Sequence, residues 1–136
     1  MRDILFKAKR LDNGEWVEGY YLKYKKPLSG EIEHRIFISD GDGVTWYVVC
    51  EDTICQYTGR TDKNGNKIWE NDVVRKSDIN ALGYGRVRNC EVSFDKLGCW
   101  LLTTEYGDGY WLGSFDAAQL EVIGSVFDYN KLLEDE

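Results

Sequence analysis

One histidine, His34, lies in the run Glu31-Ile32-Glu33-His34-Arg35. An imidazole beside carboxylates is the pairing a general base uses, because a carboxylate can orient the ring and stabilise its cation. No serine or cysteine is marked as the nucleophile such a base would serve. The run therefore reads as a surface histidine beside two glutamates. Carboxylate pairs recur along the chain, but none sits in a recognisable acid–base motif. The expectation is a protein with no catalytic residues.

The four cysteines are the other candidates for chemistry. Cys50-x4-Cys55 is followed by 34 residues and then Cys90-x8-Cys99. A structural zinc site needs two close knuckles, and the second gap is wide for one. Cys90 and Cys99 read better as small buried hydrophobes flanking a hairpin. Asp40-Gly41-Asp42-Gly43 resembles the opening of a calcium loop, but it lacks the further alternating carboxylates and the distant glutamate. It reads as a polar turn. Neither metal nor cofactor is expected.

What remains is binding chemistry. Tyr106, Tyr110 and Trp111 surround the Gly107-Asp108-Gly109 turn, and aromatics of this kind are enriched in recognition surfaces. A competing reading places Trp111 and Leu112 in the core. Arg75, Lys76, Arg86 and Arg88 flank a loop over 77–85 and form a candidate nucleic-acid patch of the kind small barrels use. A protein partner or self-association through an exposed strand edge is expected ahead of nucleic acid.

These residues must be held by strands. Ile4 to Arg10 and Glu15 to Leu22 are joined around Asn13-Gly14, the strongest short hairpin signal. Counting outward from a two-residue loop opposes Phe6 to Tyr21 and Ala8 to Gly19. One face is then apolar and the other charged. The span from Tyr24 to Glu33, with Pro27 and Ser29-Gly30, reads as a loop. Arg35 to Ser39 and Val44 to Cys50 form a second hairpin.

The stretch QYTGRTDKNGNKIWENDVV, residues 56–74, follows. A type I′ turn at Asn64-Gly65 opposes Asp62 to Lys67 as an ion pair and Arg60 to Trp69 as a cation–π pair. After it come five short strands, with a long first loop that includes Gly83-Tyr84-Gly85. A helical turn capped by Ser114 precedes the last strand, Leu120 to Phe127. That order is the order of an SH3-like barrel. Residues 128–136 predict two helical turns with Asp128 as N-cap, packing Leu132 and Leu133 on the body.

Composition sets limits on all this. The 136 residues carry a net charge of −7, 24 acids against 17 bases, so a general basic footprint for nucleic acid is missing. Apart from the terminal Glu134-Asp135-Glu136, the acids are spread out, which reads as a solubilising surface rather than an acidic DNA mimic. Met1-Arg2-Asp3 leads straight into patterned sequence with no signal-peptide run. No stretch approaches the ~20 apolar residues of a membrane span. A cytoplasmic chain of one compact unit is expected, with an N-terminal hairpin region over 1–55 and a barrel region with a terminal helix over 56–136.

Four stretches in order, GEWVEGYY, IFISDGD, QYTGRTDKNGNKIWENDVV and LEVIGSVFDYNKLLE, resemble the YopX family of bacteriophage and prophage proteins. The central block is the diagnostic one. It departs from the family pattern at Asn71, where glycine is common, and Asn tolerates the same left-handed backbone. The resemblance implies a β-rich fold with a C-terminal SH3-like barrel, made in a bacterial cytoplasm. It carries no catalytic residues across.

Overall fold

The computed structural model describes residues 4–79, 82–83, 85–104 and 106–128. The chain is mainly β, with antiparallel pairings throughout, and divides into two compact units, Met1–Tyr57 and Thr58–Glu136.

The first unit contains β1 (Phe6–Lys9), β2 (Trp16–Lys25), β3 (Ile32–Ser39), β4 (Val44–Val49) and the start of β5 (Cys55–Thr61), in spatial order β4-β3-β2-β1-β5. The pairing of β1 with β2 is Phe6 to Gly19 and Ala8 to Val17, two residues away from the expected register. A wider loop explains this: the Gly14 amide bonds the Arg10 carbonyl and the Arg10 amide bonds Glu15. A slip of two keeps every side chain on its face, so the apolar face survives. Ala8, Ile36 and Val49 form the unit's core, with Phe6, Val17, Tyr21, Ile38 and Ile54 packed against it.

β2 runs three residues further than expected and β3 starts earlier, so the loop over 24–33 shrinks to 26–31. β2 also changes partner along its length. It pairs with β1 up to Gly19 and with β3 from Tyr20 onward. At that junction a Cβ on Gly19 would collide with the carbonyl oxygen of Phe37, so the strand crosses there only because the side chain is missing. Beyond the end of β1, Arg10 bridges Val49 and the Leu11 amide bonds the Val48 carbonyl. These bonds tie the edge strand β4 back to the first hairpin.

The second unit takes the rest of β5, then β6 (Lys67–Trp69), β7 (Asp72–Ser77), β8 (Val87–Phe94), β9 (Trp100–Thr104), β10 (Gly109–Trp111) and β11 (Leu120–Ser125). The last five form one sheet in the order β10-β9-β8-β7-β11. Its apolar side carries Val74, Cys90, Val92, Leu102 and Leu120, and Ile68 and Leu112 complete the core. The expected strand order is present, but among the described residues it gives a sheet without pairing between its edges β10 and β11. A closed barrel is therefore replaced by the coarser description of two antiparallel sheets.

Other expectations need correction. A type I′ turn requires positive φ at both central residues, and of Asn64 and Gly65 only Gly65 has it (φ 79°). The Asp62 amide bonds the Asn66 carbonyl and the Gly65 amide bonds the Asp62 carbonyl. The hairpin therefore slips by one residue, and Asp62 does not face Lys67. Asp116, not Ser114, precedes the 3₁₀ turn Ala117–Gln119, and its amide bonds the Gln119 side-chain oxygen at 2.9 Å. Helical backbone begins at 126, ahead of Asp128, whose carboxylate accepts the Ser125 hydroxyl at 3.1 Å. Tyr84, Leu132 and Leu133, and the helix expected to continue over 129–136, lie outside the described residues.

Candidate functional site

His34 is not a free surface histidine. Its side chain is 12% exposed on β3, and its ring stacks on Tyr21 with centroids 5.8 Å apart and planes 7° from parallel. Nδ1 lies 2.6 Å from the Tyr21 hydroxyl and Nε2 lies 3.4 Å from Glu51. Burial, and then the negative charge of Glu51, raise the pKa of the Tyr21 phenol. That keeps it protonated and suits it to donate to the ring rather than to attack a substrate.

The conspicuous block 56–74 is occupied with holding the fold. Asp62 is 2% exposed, and its carboxylate accepts the amides of Asn64, Asn66 and Val122, each at 2.9 Å. Burial alone would raise its pKa, yet the Val122, Asn66 and Asn64 amides outweigh that and hold it below the usual aspartate range. Asp72 accepts the Trp69 amide at 2.8 Å. Asn71 takes φ 69°, the left-handed backbone expected of it. Arg60 donates to the Phe115 carbonyl.

The two candidate sets from the sequence are regrouped. A concavity of about 630 Å³ in the second unit is lined by Arg75 and Arg88 from the basic set and by Tyr106 from the aromatic set, among others. The Arg88 guanidinium stands 5.1 Å over the Tyr106 ring. Lys76 is not on this lining. It is 2% exposed, with Nζ 2.7 Å from Asp78 and 4.0 Å from the Tyr110 ring. Tyr110 is thereby committed to covering Lys76, and its edge meets Phe115. Trp111 is exposed while Leu112 beside it is core, so the competing core reading holds for Leu112 alone. Arg86 is exposed outside the lining.

A second surface, in the first unit, escaped sequence reading. Tyr20, Phe37 and Trp46 stand directly opposite one another across β2, β3 and β4. Tyr20 and Trp46 are 61% and 44% exposed, and the Phe37 and Trp46 rings are 6.3 Å apart. Beside them the Arg35 guanidinium lies 3.9 Å from both the Tyr24 and Trp46 rings. Arg35 bonds Glu33 at 2.7 Å, while its buried Nε has no hydrogen-bond partner. The available signal was GYYLKY in β2, where aromatics at consecutive positions must occupy both faces.

Metal chemistry has little to draw on. Among the described residues no three His, Cys, Asp or Glu side chains converge. All four thiols are free, Cys50 and Cys55 in the first unit and Cys90 and Cys99 in the second. Nor, among the described residues, is any helix long and apolar enough to cross a membrane. Compared with known proteins, the sequence finds no match among curated ones. A family model described as YopX protein matches residues 5–134.

Proposed function

The chain belongs to the YopX family, matched across residues 5–134, and from that premise we propose a small, non-catalytic protein-binding or adaptor protein. In this reading it is encoded by a phage or prophage and works in the bacterial cytoplasm. The observation that carries the proposal is the aromatic row Tyr20–Phe37–Trp46 with Arg35 stacked beside it. Tyr, Trp and Arg are the residue types that dominate binding hot spots, and an exposed aromatic row contributes contact area at small entropic cost. The second unit we read as an SH3-like module, supported by a last strand, β11, that returns to pair with β7. A non-catalytic role is supported by His34, both of whose ring nitrogens face partners.

The test is affinity capture from host lysate, with and without phage infection, using the wild type and a Tyr20→Ala/Trp46→Ala variant. A specific partner held by the wild type and lost by the variant is expected. Recovery of no specific partner in either lysate overturns the proposal. The alternative of a nucleic-acid-binding barrel draws on Arg75 and Arg88 sharing one concavity with Tyr106. Glu91 on the same lining works against it. A mobility shift at low salt, where the electrostatic attraction is strongest, decides between the two readings.

A further inference from the structure

The concavity of the second unit brings two arginines, Arg75 and Arg88, onto one lining. Some cations of this acidic chain are matched: Arg10 lies 2.6 Å from Asp12, Arg35 2.7 Å from Glu33, Lys63 2.7 Å from Glu121 and Lys76 2.7 Å from Asp78. Arg75 and Arg88 form no such bridge among the described residues. Glu121 feels Arg75 electrostatically, but its salt bridge is to Lys63. Both arginines line the same hollow, with Asn89, Thr103 and Thr104 as further polar lining and Tyr106 beneath the Arg88 guanidinium.

We infer that this concavity is a carboxylate-binding site for an extended acidic segment of a partner protein, distinct from the aromatic row of the first unit. Guanidinium groups present planar donor forks that match carboxylates two bonds at a time. The Tyr106 ring restricts the Arg88 head, so less freedom is lost when it engages a ligand. Glu91 sets the specificity. Among the described residues of the lining, two cations stand against its one anion. That suits one or two carboxylates on a peptide better than the continuous phosphate run of a nucleic acid, which needs many cations in a row.

The experiment is calorimetric titration of the full chain with an oligoglutamate peptide and, separately, with oligothymidylate at the same ionic strength. Arg75→Gln, Arg88→Gln and Arg88→Lys are titrated alongside, with thermal melts confirming that each variant is folded. Oligoglutamate is expected to bind the wild type and to weaken about tenfold in each Gln variant, the effect of losing one charge-assisted contact. Arg88→Lys should recover only part of that loss, because the fork is gone while the charge remains. The Tyr20→Ala/Trp46→Ala variant should bind oligoglutamate like the wild type, which separates this site from the one proposed above. Equal binding by the Gln variants, tighter binding of oligothymidylate, or no binding of oligoglutamate overturns the inference.

Discussion

At the scale of single residues, the block 56–74 is a lesson in what specificity can mean. Its Asp62 anchors three amides, two in its own turn and one on β11. Asp62→Asn should lower stability by about 2 kcal/mol, since charge-assisted bonds are lost and a donor replaces an acceptor beside buried amides. The folded pKa of Asp62 is depressed. Its contribution is therefore complete above the unfolded value of about 3.9 and is lost as pH falls through the lower folded value. Chemical denaturation across that acid range should show the wild type and Asp62→Asn converging. Gly65, at φ 79° with open space around it, should cost about 1–2 kcal/mol as Val and much less as Asn, because only the backbone objects. Equal melting of Gly65→Val and the parent would remove this account. The turn itself was legible in Asn64-Gly65. The one-residue slip was not, because one of the Asp62 bonds that accompany it reaches Val122, far along the chain.

At the scale of elements, β2 shows why alternation reveals faces better than partners. Its apolar positions were legible, and a register error of two left them undisturbed. The wider loop at 11–14 was hidden because Asn-Gly serves loops of several lengths. Gly19 looked like an ordinary interior glycine, although it marks where the strand leaves β1 for β3. Gly19→Ala should destabilise by about 1–3 kcal/mol or more, because the obstacle is the Phe37 backbone and cannot rotate away. Thermal melting checks this. Gly109→Ala, where a Cβ meets open space, is the control and should melt close to the parent. The aromatic row was missed for a related reason: a strand patterned on both faces gives no contrast to read.

At the scale of the whole molecule, each unit has its own core, and neither core is held by a disulfide. Ile36→Ala and Leu102→Ala should each cost about 2–5 kcal/mol as cavity-forming changes. Hydrogen exchange should show the larger loss of amide protection in β2–β4 for the first and in β7–β9 for the second. The order of the C-terminal strands was legible because turns and short alternating runs punctuate it. Edge closure was not, because sequence records which strands exist and not how far a sheet curls. The cysteines turn this division into a clock. Cys55 is sealed in the first unit and Cys90 in the second, while Cys50 and Cys99 are half-buried. Burial also raises the pKa of the Cys90 thiol, which depletes its reactive thiolate. A thiol-selective dye should therefore label Cys50 and Cys99 first. It should then mark Cys55 and Cys90 at rates that time the opening of each unit separately, in one unmodified chain.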